Sequence, residues 1–351
     1  MSDESDMIAI AGAGAVSPAG WGIAPLAETV LRGEPLPAEE RTREEPGAPA
    51  IRVRAVPKPP APLPFARDPR LRRASPVARF TVAAALEALG EERAAAAKSG
   101  RLRLGVIFAL MNGCVNYSRR FYRETLADPA TASPIVFPET VFNAPASHLS
   151  AMLGATAINY TLVGDSSVFA PALAVAADWL LDGKADGVVV AAGEELDWLS
   201  GEAIALFDRR AVSAEGAGAL YLEKAMPGGE AGVRLAQVTE PQLYTNARPR
   251  CEAAAAARAM VAERASARTL LCDGLSGLPI FDRAESAAWA DWSGPRLSPK
   301  TVLGDGMGAA LAWQCALAAH QIGAGACERA IASAVGGNEQ ACAAVFARAA
   351  M

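Results

Sequence analysis

The sequence predicts an α/β protein built from two similar halves. Two observations carry that reading: a strand–turn–helix–strand unit between Ile158 and Glu195, and a second copy of the same order between Gly304 and Glu339. The first copy runs Ile-Asn-Tyr-Thr-Leu-Val, Gly164-Asp165-Ser166-Ser167, an Ala/Leu/Val run to Leu181, a Gly-containing loop and a Val-rich run ending in Gly193-Glu194-Glu195. The second opens on Gly304-Asp305-Gly306-Met307, continues as an Ala-rich helix to about Ile322, and passes through Gly323-Ala324-Gly325 and the apolar run Ala330–Val335 to Gly336-Gly337-Asn338-Glu339. Short β-branched runs alternating with helical runs imply parallel strands buried on both faces. The halves are expected to divide at residues 1–225 and 226–351.

A chain of 351 residues with 52% hydrophobic content is long enough for a large core. A net charge of −5 excludes the basic footprint of a nucleic-acid binder. The start is acidic and its apolar run is broken by Gly12 and Gly14, which fits neither a signal peptide nor a membrane span, so a cytoplasmic protein is expected. Six scattered cysteines without a CxxC pair read as reduced core residues rather than a disulfide framework or a metal site. Two histidines, His148 and His320, restrict acid–base chemistry.

Taken in order, Met7–Val16 is a buried strand entering a Gly-rich turn, followed by a helix at Ile23–Arg32. No acidic residue follows at the distance a dinucleotide site needs. Glu34–Pro64 is a Pro-rich surface excursion with one extended piece near Ile51–Val56, and Arg67, Arg70, Arg72 and Arg73 form a solvated basic face open to an acidic partner. Helices are predicted at Pro76–Leu89, Val115–Leu126, Ala144–Leu153 and Cys251–Ala265; strands at Leu104–Leu110, Gly216–Glu223, Val233–Thr239 and Thr269–Cys272; loops at Pro134–Phe142 and Asp273–Phe281.

The Gly164–Ser167 turn aims Ser166 from a strand end at a helix N-terminus, where unpaired backbone N–H groups stabilise developing negative charge. The same turn also fits a purely structural role, with Asp165, Ser166 or Ser167 capping the helix. Gly164-Asp165-Ser166 has the letters of the GDSL hydrolases, but the Asp-x-x-His that goes with them is missing, since Leu317 stands three residues before His320.

The segments AGAGAVSPAG, Ala172-Leu173 through Gly183-Lys184-Ala185-Asp186, Ala192-Gly193-Glu194, FD…EGAGALYLE, Lys300-Thr301-Val302-Leu303-Gly304 and Gly336-Gly337-Asn338 occur in the order and spacing of a β-ketoacyl-acyl-carrier-protein synthase. The chain resembles that family from Ile8 almost to its end. The resemblance implies a thiolase-like, duplicated five-layer α/β/α/β/α fold and a dimer, placed here around Ile158–Val163. It also implies a Cys-His-His triad, and the matching positions hold Ser166, then Gly274 or Asp273, then Asp305; of the family's charged set, Lys300 is kept. Without a thiolate and two imidazoles, decarboxylative condensation is not expected. The chain therefore resembles the chain-length factors, non-condensing subunits of type II fatty acid, polyketide or aryl-polyene systems. Expected partners are a ketosynthase subunit or a second copy, and an acyl carrier protein; no nucleic acid, membrane, metal or cofactor is expected. The alternative is an acyltransferase or hydrolase that uses Ser166 as nucleophile on a thioester, with Asp305, Asp273 or Lys300 assisting.

Overall fold

The computed structural model describes residues 7–42, 50–63, 65, 67–225, 232–245 and 248–349. Its main sheet runs, strand by strand, Arg296–Leu297, Thr269–Cys272, Arg329–Val335, Gln340–Arg348, Val233–Val238, Ile8–Ser17, Gly216–Lys224, Gly187–Glu194, Leu104–Leu110 and Asn159–Val163. The order is symmetric about its middle, where Ile8–Ile10 pairs antiparallel with Val233–Leu235. On each side of that joint the pairing is antiparallel across two ladders and then parallel outward. The boundary expected at 225/226 falls against residues 226–231, which lie outside the described residues.

The path folds over two helices. Gly308–Gly323 packs on Ile8–Ser17, Gly216–Lys224 and Gly187–Glu194 from one half and on Arg329–Val335 and Gln340–Arg348 from the other, and it also touches the helix Phe169–Leu181. All of its residues except His320 and Gly323 are buried. A helix covered on nearly every side cannot keep a polar face, which is why ten of its sixteen residues are Ala, Leu, Cys or Trp. The outer layers are the helices Pro76–Lys98 and Ala144–Leu153 on one side and Arg250–Met260 and Pro279–Ala288 on the other. Three apolar zones separate five layers: one around Phe108 and Tyr221, the central one around Trp313 and Phe169, and a third around Trp289 and Ile331. A second sheet of three strands, Glu39–Arg41, Ile51–Arg54 and Val212–Ala214, lies beside this stack.

Close helix–strand approach sets two glycines. A Cβ on Gly218 would stand 2.7 Å from the Ala312 carbonyl carbon of the central helix, and one on Gly14 would run into the Ala84 carbonyl oxygen of the outer helix. Trp313 lies against Gly216 and Gly306, and its indole N–H is shared between the Val16 and Ala217 carbonyls at 3.0 Å each.

Several expectations need correction. Asn159–Val163 is an edge strand with Tyr160 49% and Val163 52% exposed, so it is not buried on both faces. The helix expected to end at Leu89 continues to Lys98 through a kink at Gly90, whose positive φ only glycine adopts cheaply. The helix expected to reach Ala265 stops at Met260. The Asp273–Phe281 loop gives way to a helix at Pro279, and the long strand Gln340–Arg348 was not foreseen. The arginines at 67, 70, 72 and 73 are exposed, as expected. Among the described residues no helix is long and apolar enough to cross a membrane, and all six cysteines are free.

Trp313→Phe should destabilise the fold by about 2 kcal/mol, because it leaves two buried carbonyls without their donor and removes ring volume. Urea denaturation at constant m-value measures this directly.

Candidate functional site

Three segments converge where the sequence places its candidates. The first is the turn Gly164–Val168, which joins the edge strand Asn159–Val163 to the helix Phe169–Leu181. Its working side chain is Asp165. The buried carboxylate accepts through Oδ1 from Ser167 N–H at 3.0 Å and Ser167 O–H at 2.5 Å, and through Oδ2 from the N–H groups of Glu339 at 3.1 Å and Gln340 at 3.2 Å. Those last two donors stand at the entry to the strand Gln340–Arg348, one just before it and one its first residue, so Asp165 ties the turn to the far end of the chain. Gly336 presses its Cα against this carboxylate so closely that a Cβ would overlap it, and Tyr244 O–H holds the Gly336 carbonyl at 2.5 Å.

Ser166 is 9% exposed, and its hydroxyl has no hydrogen-bond partner among the described residues. It does not cap the helix: the residue at the cap position is Val168, with no side-chain cap bond. The helix-cap expectation for this serine therefore fails. The turn is held by Asp165 bonding within itself and across to the second half.

The second segment is the loop after Thr269–Cys272. Asp273 is buried, 3.3 Å from Arg296 Nε, and accepts from Leu275 N–H at 3.2 Å. Burial raises its carboxyl above the usual range, and hydrogen bonds from Ser298 and Leu275 with the Arg296 charge offset part of that rise. Gly274, the other position matched to the first histidine, donates its N–H to Glu285 Oε1 at 3.1 Å. Glu285 is fully enclosed; burial first, and the neighbouring Asp273 charge second, push it up to about 7. A deprotonated Glu285 beside Asp273 would place two anions in a dry loop, so protonation of one of them is the cheaper arrangement.

The third segment is Lys300–Met307. Lys300 Nζ lies 3.2 Å from both oxygens of Asp305, and Asp305 Oδ1 accepts from Met307 N–H at 2.9 Å. Met307 has φ 48° and ψ −117°, the one non-glycine residue with positive φ among the described residues. Such a conformation costs of order 1–3 kcal/mol, offset here by the Asp305 bond and by Asn112, whose amide reaches Met307 Sδ at 3.1 Å. Glu194, also fully buried, sits against the start of the same helix. It accepts the N–H groups of Met111, Asn112 and Gly113, and burial outweighs those bonds to raise it to about 7.

Lys300 and Asp305 are thus in direct contact, and both line a cavity of about 250 Å3 with Ser276 from the Asp273 loop. Ser166 and Asp273 are not part of that lining, and among the described residues no hydrogen bond joins Ser166 to Asp305. Neither histidine serves the site. His148 Nε2 is 2.8 Å from Glu139, and His320 stands in the last turn of its helix, at the end opposite Asp305. Sequence reasoning passed over Arg52 and Arg54, which also line the cavity, although the alternation Ile51-Arg-Val-Arg54 was there to read.

The β-ketoacyl synthase N-terminal domain family matches residues 5–225. The chain belongs to the β-ketoacyl synthase family. No curated protein sequence matches it. Among solved structures this synthase homologue is similar to the ishigamide ketosynthase/chain length factor, at 20% identity and TM-score 0.81, over 98% of this chain and 100% of that one. It is similar to a ketosynthase in complex with its chain length factor from Xenorhabdus doucetiae, at 17% identity and TM-score 0.77, over 98% of both chains. A third is a type II polyketide synthase acyl-carrier protein in complex with its ketosynthase bound to the hexaketide, at 15% identity and TM-score 0.72, over 97% of this chain and 99% of that one. These likenesses establish the thiolase-like fold of ketosynthases for the homologue.

Asp165→Ala should cost at least about 3 kcal/mol, since four donors lose their acceptor in a closed space, whereas Ser166→Ala should fall within about 0.5 kcal/mol of the parent; chemical denaturation of the two variants side by side checks both. A pH titration of stability checks Glu285. Its folded value near 7 lies above the ordinary 4.5, so the folded state binds the extra proton between those values. The group's contribution is present below about 4.5 and is lost as pH rises to about 7. Glu285→Gln should remove that loss, at most about 1.4 kcal/mol per pH unit, so the variant gains on the parent as pH increases through this window.

Proposed function

We propose that this chain is a ketosynthase-like, non-condensing subunit, similar to a chain length factor, in a type II fatty acid, polyketide or aryl-polyene system. It pairs with a catalytic ketosynthase, or with a second copy when made alone, and works in the cytoplasm on intermediates carried by an acyl carrier protein. The observation that carries the reading is the set of groups standing where the family keeps its triad: Ser166 with no partner to take its proton, Gly274 with no side chain, and Asp305 locked to Lys300. A serine needs an adjacent base to attack a thioester, and an aspartate anion opposes the negative charge that builds on a thioester oxygen.

Two of the similar structures name chain length factors and a third an acyl-carrier protein, which supports the choice of partners. The exposed strand Asn159–Val163 supports the pairing surface: its outer edge is free of any strand among the described residues, and Ile135, Phe137 and Phe142 are also exposed large apolar side chains.

Incubation with an acyl thioester, followed by intact-mass measurement, tests the reading. No acyl adduct is expected on the isolated chain; an adduct that disappears in Ser166→Ala would replace the non-condensing subunit by a serine acyltransferase or hydrolase.

A further inference from the structure

The helix Pro76–Lys98 turns one face to the main sheet and the other to a cavity of about 820 Å3. Val77, Ala84, Ala85 and Ala88 are buried on the sheet side, while Ala83, Glu87, Gly90, Ala94 and Lys98 line the cavity. Val16, Leu63, Leu86 and Met152 give it an apolar floor, and Trp21 and Phe65 an aromatic wall. Trp21 is fixed from two sides: its indole N–H donates to the Pro57 carbonyl at 2.8 Å, and its ring meets Phe80 edge to face with centroids 5.8 Å apart. A volume in the range of small-molecule pockets, an apolar lining and a fixed aromatic ring mark a ligand site rather than a packing gap. No residue of this lining belongs to the cavity beside Asp305.

The charge on the lining is negative at one end. Glu87 accepts from the Ala15 N–H at 2.9 Å and the Ile23 N–H at 2.8 Å, and Glu91 accepts no hydrogen bond; no ion pair reaches either carboxylate among the described residues. Asp68 adds a third carboxylate, bonded to the Arg70 N–H at 2.9 Å. Gly90 breaks the helix between the two glutamates with φ 75° and ψ 165°, which brings the negative pole of its first segment to the same place. The one cation in the lining, Lys98, stands two helical turns beyond Glu91, about 10 Å along the axis at roughly 1.5 Å per residue. Like charges without a counter-ion cost free energy, and a cation between them offsets it. A hydrated metal ion gains nothing from an apolar floor, whereas an organic ammonium sets its charge on the carboxylates, its hydrocarbon on the floor and its positive head near the aromatic faces. We propose that this cavity is a binding site for an amphipathic organic cation, its ammonium held between Glu87 and Glu91 and its apolar body lying on Leu86, Met152 and Trp21. The proposal goes beyond the partner-subunit reading and does not rest on it.

Isothermal titration calorimetry of the isolated chain with n-hexylammonium chloride, against n-hexanol and sodium hexanoate at equal ionic strength and neutral pH, is the test. The expected result is saturable hexylammonium binding at one site per chain, weakened about tenfold or more in both Glu87→Gln and Glu91→Gln. Binding should be unchanged in Glu252→Gln, an exposed carboxylate on the helix Arg250–Met260 of the opposite outer layer. Should Glu87→Gln not fold, Glu91→Gln decides alone, because Glu91 holds no other group in place among the described residues. Absence of saturable heat, hexanol or hexanoate binding as tightly as hexylammonium, or hexylammonium binding undiminished in Glu91→Gln would each overturn the proposal. The acyl-adduct experiment reads Ser166 chemistry, so failure of one result leaves the other standing.

Discussion

The burial of the helix Gly308–Gly323, complete but for His320 and Gly323 in its last turn, constrains everything around it. A helix with no wet face must be small where strands cross it and large where they leave gaps. The strands over it must then surrender side chains of their own, as Gly218 does against Ala312. Trp313 is the exception that fills the remaining volume, and the fold answers its one polar atom with two carbonyls from different strands. The same closure sends all charge to the helix ends. Met307 carries strained backbone there, Glu194 sits protonation-prone against the first turn, and Asp305 holds the turn with Lys300.

That concentration of charge is matched by local ties that hold each segment of the site in shape. Asp165, not the neighbouring serine, holds the first turn, and it does so by reaching into the second half. Glu285 accepts from the Gly274 N–H and steadies that loop, and Gly274 leaves it room. The Asp305 carboxylate is likewise committed, to the Lys300 ammonium and to the backbone of the strained Met307.

Much of this was legible in the chain. The repeated Gly-Asp turns and the Ala-rich run after the second of them marked the two central helices, because a long apolar run bounded by Gly turns reads as a buried helix even without an amphipathic period. Less legible were features set by neighbours in space. The edge position of Asn159–Val163 depends on which strands it meets, and its β-branched letters are the same as those of a buried strand. Gln340–Arg348 was missed because Ala and Cys dominate a strand covered on both faces, where packing overrides propensity. In the site, the turn was found, but the residue that ties it across to the last strand was not. A serine invites a nucleophile reading from sequence alone, while the value of Asp165 lies in donors 174 and 175 positions away.

The open edge at Asn159–Val163 has a consequence for how such a chain is produced. An edge strand paired on one side only among the described residues, presenting Tyr160 and Val163 to water, is a template for any other strand it meets. A cell that made this chain in excess of whatever covers that edge would accumulate molecules prone to self-association and to clearance by proteases. If a ketosynthase subunit covers that edge, as proposed, matched synthesis of the two polypeptides is the economical solution, and the dosage of one chain then controls the lifetime of the other.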